Sequence, residues 1–141
     1  MLVVAIDPGI TTGLCLKGEA LDRVTCVIEN CGKAPIEVWK FLERGNFSHI
    51  ILEQFSASGR IDENCERTLE LCGIVKIYAA THSIELTLQA PQKRRAFLKD
   101  AKLILQKRGA LYMEHELDAL AHLLRWDFER AFSQQVRPGR P

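Results

Sequence analysis

The sequence predicts an α/β fold in which one mixed sheet carries helices on both faces, and three observations lead there. Residues 2–7 and 49–55 are two short, almost wholly apolar runs, each with a single acid near its C-terminal end. Runs of that kind form strands covered on both faces. Residues 12–28 alternate and turn back on themselves like an antiparallel meander. The remaining chain alternates helix-period segments with short strands, and helix crossovers between strands place the later strands parallel.

In order along the chain, residues 2–7 form the first strand and Pro8-Gly9 turns it. Thr12 to Lys17 forms a second, and Lys17-Gly18-Glu19 reads as a hairpin turn into a third at 20–28, where Val24, Cys26 and Ile28 alternate. Ala34 to Arg44 carries Ile36, Val38, Trp39, Phe41 and Leu42 near a helical period, and Gly45-Asn46 ends it. Residues 49–55 form a strand and 56–59 a flexible loop. A helix follows over 62–80, with Cys65, Leu69, Cys72 and Lys76 on one stripe. Residues 84–88 make a fifth strand. Pro91 opens a basic helix running to Lys107, and a last helix over 114–134 aligns Leu117, Leu120, Ala121, Leu124, Phe128 and Phe132. The order βββαβαβαα fits one domain over residues 1–134, with 135–141 a frayed tail.

The hydrophobic fraction of 47% is ordinary for a globular domain. No apolar run approaches the roughly 18 residues of a membrane span, and no signal-peptide pattern opens the chain. A soluble protein of the cytoplasm, or of a host's cytoplasm if phage-encoded, is the expectation. Five cysteines form no CxxC pair, so buried free thiols in a reducing compartment are expected rather than a zinc site. Net charge is +1, yet Lys93, Arg94, Arg95, Lys99, Lys102, Lys107 and Arg108 face only Asp100 between 93 and 108. That segment carries +6 and the rest of the chain −5. Such a face suits the backbone of a nucleic acid, and a solvated helix face has the same composition.

Three carboxylates stand out: Asp7, Glu53 and Asp118. Asp7 and Glu53 lie near the C-terminal ends of the two most apolar strands. If those strands are parallel neighbours, the acids sit about one strand spacing, roughly 4.8 Å, apart. Carboxylates that close raise one another's pKa unless cations hold them ionised. In the last helix His115, Asp118 and His122 share a face by their i, i+3, i+7 spacing, and Ala119 and Ala121 permit close approach to a sheet. Asp118 also reads as a helix-dipole partner and Glu53 as a paired strand-end acid. Taken together, the carboxylates and an imidazole make an oxygen-rich site for Mg²⁺ or Mn²⁺, the arrangement of two-ion phosphodiester hydrolysis. His122 reads as a surface, DNA-facing residue, and His49 and His82 as loop residues.

Ala5-Ile6-Asp7-Pro8-Gly9 with Thr12-Gly13, then Leu52-Glu53-Gln54-Phe55, then His115-x-x-Asp118-Ala119-Leu120-Ala121 closely resemble the RuvC Holliday-junction resolvases of the RNase H-like superfamily. Gly73-Ile74-Val75 fits the same pattern, and the likeness runs over about residues 1–126, as in a short, phage-type member. The resemblance implies a five-stranded mixed sheet in order 3-2-1-4-5, its first three strands antiparallel. It implies two Mg²⁺ or Mn²⁺ ions on the catalytic residues Asp7, Glu53, His115 and Asp118. It also implies a homodimer, joined through the helix at 62–80, that nicks opposed strands of a four-way junction and leaves 5′-phosphate and 3′-hydroxyl ends. The loop at 56–61, with Arg60, would reach the junction. Phe55 would stack on an unpaired base or serve as a plain core residue. Bacterial members carry a longer segment after the fifth strand. Here Lys93, Arg94, Arg95 and Lys99, with His122, would meet the DNA instead. An RNase H-like nuclease on RNA or flap DNA (YqgF-type) and an inactive junction-binding protein remain the alternatives.

Overall fold

The computed structural model describes residues 2–9, 11–18, 27–30, 35–57, 59, 61–109 and 111–135. Its strands are β1 (Val3–Asp7), β2 (Gly13–Lys17), β3 (Val27–Asn30), β4 (His49–Glu53) and β5 (Glu85–Gln89), and its helices α1 (Pro35–Arg44), α2 (Glu63–Thr81), α3 (Leu98–Lys107) and α4 (Glu114–Gln135). The strands lie in the order β3-β2-β1-β4-β5. β2 is antiparallel to both β1 and β3, whereas β4 runs parallel to β1 and β5.

The sheet's two faces follow from side-chain alternation along each strand. Val4, Ile6, Leu14, Ile50 and Leu52 point to one side, where they bury with Val38, Phe41 and Leu42 of α1 and Leu71, Cys72, Val75, Tyr78 and Ala79 of α2. Val3, Ala5, Cys15 and Ile51 point to the other, against Ala101 and Leu105 of α3 and Ala119, Leu120, Ala121, Leu123 and Trp126 of α4. Each large aliphatic side chain so enclosed contributes about 1.5–3 kcal/mol. Asp7 and Glu53 continue the second set, so both acids emerge on the α4 face.

Helix ends are set locally. Asp62 caps α2 by accepting the Cys65 amide at 2.8 Å. Glu116 reaches back to the Met113 amide at 2.7 Å, one half of a capping box for α4. Thr12 is buried, and its hydroxyl donates to the Gly9 carbonyl at 3.3 Å, closing the turn after β1.

Several expectations need correction. In α2 the buried stripe is Leu71, Cys72, Val75, Tyr78 and Ala79, rotated from the one expected. Leu69 is exposed and Cys65 only half-buried, because the face bearing Leu71, Val75 and Tyr78 is the one that meets the sheet. Ile36 of α1 is also exposed. Phe128 and Phe132 at the far end of α4 are exposed and stack on each other instead of joining the core. Pro91–Phe97 is a 3-10 segment, and α-helix begins only at Leu98. His49 is a buried strand residue, bonded to Thr87 at 2.8 Å and lying against Trp126. Burial lowers its pKa, with Glu85 opposing. Cys15 is disulfide-bonded, contrary to the expectation of free thiols, whereas Cys65 and Cys72 are free. The third strand's expected span over 20–28 falls largely outside the described residues, as does the tail beyond 135. No helix among the described residues is long and apolar enough to cross a membrane.

Candidate metal centre

The register of β1 on β4 pairs Ile6 with Leu52, so Asp7 and Glu53 stand one step further on at matching strand ends. β5 extends the row, with Gln89 opposite Glu53. Parallel neighbours in one row project to the same side, and α4 crosses that side. Gly13 lets it come close: a Cβ there would lie 1.9 Å from the His115 carbonyl oxygen and 2.7 Å from the Glu116 nitrogen. The Thr12-Gly13 pair is thus the seat for the first turn of α4.

From that turn, His115 Nδ1 meets Asp7 Oδ2 at 2.6 Å. One turn on, Asp118 is buried and bonded to Arg94 Nη2 at 2.8 Å. The other arm of the same guanidinium, Nη1, pairs with Glu53 Oε2. A further turn along, His122 is fully enclosed. Its Nε2 donates to Glu53 Oε2 at 2.7 Å, and Nδ1 lies 2.7 Å from Gln89 Oε1. The Gln89 Nε2 is buried without a hydrogen-bond partner among the described residues.

Charge is concentrated here. Burial pushes the Asp7 carboxyl above its ordinary range; the His115 hydrogen bond opposes this, and Glu53 and Asp118 reinforce it. The bond to Asp7 holds the His115 imidazole above its usual value, against desolvation. Desolvation works against the Arg94 charge, but Glu53, Asp118 and Asp7 outweigh it and raise its pKa.

The donor set fits a hard divalent cation. Asp7, Glu53 and His122 are all buried and place one ligand atom each within 4.8 Å of one another. Asp118 adds a third carboxylate, tied to the group through Arg94. Carboxylate oxygens dominate, as Mg²⁺ and Mn²⁺ require.

The structure therefore links Asp7 to His115 directly, and Glu53 to Asp118 through Arg94. His122 is not DNA-facing: it is fully buried behind Glu53. Arg94 is not a free surface cation either, since both guanidinium arms are engaged by carboxylates. Lys93, Arg95 and Lys99 are exposed. Phe55 packs partly buried against the α1–α2 core. Arg60 lies outside the described residues. Gln89 was missed, and its one signal was its place at the end of the fifth strand, level with Glu53. His122 carried a clearer signal, because it stands one helical turn from Asp118.

Fold and site together define an α/β protein with a mixed five-stranded sheet and an acidic centre at the strand ends. In particular, the chain is similar to the solved structure of RuvC from T. thermophilus in complex with a Holliday junction substrate, with 21% identity and a TM-score of 0.70 over 94% of this chain and 96% of that one. It is also similar to the Fowlpox virus resolvase bound to Holliday junction DNA, at 11% identity and a TM-score of 0.57 over 95% and 99%. The yeast mitochondrial Holliday junction resolvase Ydc2 matches at 15% identity and a TM-score of 0.55 over 94% and 83%. No protein-family model and no curated protein matches the sequence.

Proposed function

We propose that this protein is a divalent-metal-dependent endonuclease selective for branched DNA, resolving four-way junctions to 5′-phosphate and 3′-hydroxyl ends. One observation carries the reading. Glu53 and Asp118 converge through a single guanidinium, and Asp7 stands beside Glu53 at a neighbouring strand end, in a fold like that of resolvases solved on junction DNA.

Asp7, Glu53 and Asp118 would hold two Mg²⁺ or Mn²⁺ ions, with His115 beside Asp7. Ions bound there supply an activated water and charge stabilisation for phosphodiester hydrolysis. His115 orients Asp7 through the 2.6 Å bond and holds a proton at Nδ1 next to the reacting centre. His122 fixes the Glu53 carboxylate from behind, as an outer partner of a metal ligand does. Lys93, Arg95 and Lys99, all exposed, contact DNA phosphates. A homodimer forms through α2, whose exposed Leu69 and Ile77 lie off the core. The cytoplasm, where its DNA substrate would lie, is the site of action.

Labelled four-way junction, flap, duplex and RNA–DNA hybrid, each incubated with and without Mg²⁺, test the proposal. Paired Mg²⁺-dependent nicks in the junction are expected. Preferred cleavage of hybrid or flap would favour the YqgF-type reading. Junction binding in EDTA without any cleavage in Mg²⁺ would leave a binding protein.

A further inference from the structure

We propose that Arg94 is a resident counter-cation of the acidic centre, competing with divalent metal for Glu53 and Asp118 and leaving both when metal binds. The inference rests on reading this site as a metal centre.

The geometry points to it in three ways. First, the guanidinium does not extend along one carboxylate; it straddles two from different elements, Nη1 on Glu53 of β4 and Nη2 on Asp118 of α4. Glu53 and Asp118 are also two of the carboxylates that would hold a divalent ion. Second, the contact is sheltered, with the Arg94 side chain 22% exposed and each carboxylate 10% exposed. Adjacent buried carboxylates without a cation destabilise a fold by several kcal/mol, so a built-in cation lets the empty centre stay folded. Third, Arg94 arises from the 3-10 segment Pro91–Phe97, which has no side-chain cap and buries none of its residues. A 3-10 run has poorer hydrogen-bond geometry than an α-helix, and seven residues is long for one. Lys93 and Arg95 on either side of it stay exposed. A guanidinium released from the centre remains within this basic segment, beside the proposed path of the DNA.

Metal affinity measured directly, apart from cleavage, tests the idea. Wild type and Arg94→Gln are stripped with EDTA, dialysed and titrated with Mn²⁺ by calorimetry, and their melting temperatures are followed in parallel. Arg94→Gln should bind Mn²⁺ about tenfold more tightly, because no internal competitor has to be displaced. It should also melt lower than wild type without metal and gain more from Mn²⁺. Arg94→Lys, a single point charge unable to span both carboxylates, should fall between the two. If Arg94→Gln unfolds without metal but folds when Mn²⁺ is added, the counter-cation role is upheld. Mn²⁺ affinity in both variants equal to or weaker than wild type overturns it while leaving the metal centre intact. Failure of either variant to fold even with Mn²⁺ also overturns it. A wild type that binds no Mn²⁺ removes the metal centre itself, and this inference with it.

Discussion

The backbone of His115 rests directly on Gly13: a Cβ at position 13 would stand 1.9 Å from the His115 carbonyl oxygen. The clash is with main chain, which no side-chain rotation relieves. Gly13→Ala should therefore lift the first turn of α4 from β2, costing about 1–3 kcal/mol or more and moving His115 off Asp7. Urea unfolding and junction cleavage should both deteriorate. A variant with the wild-type midpoint and rate would show that α4 is not seated there.

The bond between His115 and Asp7 makes the metal-free protein pH-sensitive. His115 is held above its ordinary value, so its contribution is complete below an unfolded pKa of about 6.5 and is lost as pH rises through the folded one. Asp7 is also raised, so the fold favours its protonated form, and stability falls as pH climbs from 3.8 through the folded value. Melting temperature in EDTA should thus decline as pH rises from about 6.5 through the raised value of His115. His115→Ala should flatten that decline. A wild-type profile that rises over this interval would contradict the pairing.

His122 is fully enclosed between Glu53 and Gln89, so replacing it removes a partner from a buried carboxylate. His122→Leu should cost about 3 kcal/mol in metal-free buffer, read as a lower denaturation midpoint. Added Mn²⁺ should recover part of the loss by compensating Glu53. An unchanged midpoint would return His122 to a peripheral role.

Lys93, Arg95 and Lys99 are exposed in the basic segment and, on this account, touch phosphates. Replacing any one with Ala should weaken junction binding and reduce the slope of log K against log salt by about 1. Slopes identical to wild type in all three variants would move the DNA path elsewhere.

The sheet was legible because its strands are short apolar runs whose alternation assigns each residue a face. That alternation, with the parallel neighbour relation, also sets Asp7 beside Glu53. Helix faces were harder. In α2 both Leu69 and Leu71 suit a buried stripe, and only the sheet beneath selects Leu71. In α4 the apolar stripe continues past the sheet, leaving Phe128 and Phe132 exposed although their spacing is perfect for a core. His122 and Arg94 were misplaced for a shared reason. Each is polar with a partner on a distant element, Gln89 of β5 for His122 and the Glu53–Asp118 pair for Arg94, and periodicity holds no information about that docking.

The central claim, that Asp7 organises a cation centre for cutting branched DNA, is tested most directly by Asp7→Asn on a labelled four-way junction. The substitution keeps size and shape and removes the charge. Junction binding equal to wild type is expected in a gel shift, with cleavage in Mg²⁺ reduced to background. Cleavage at the wild-type rate by this variant would contradict it.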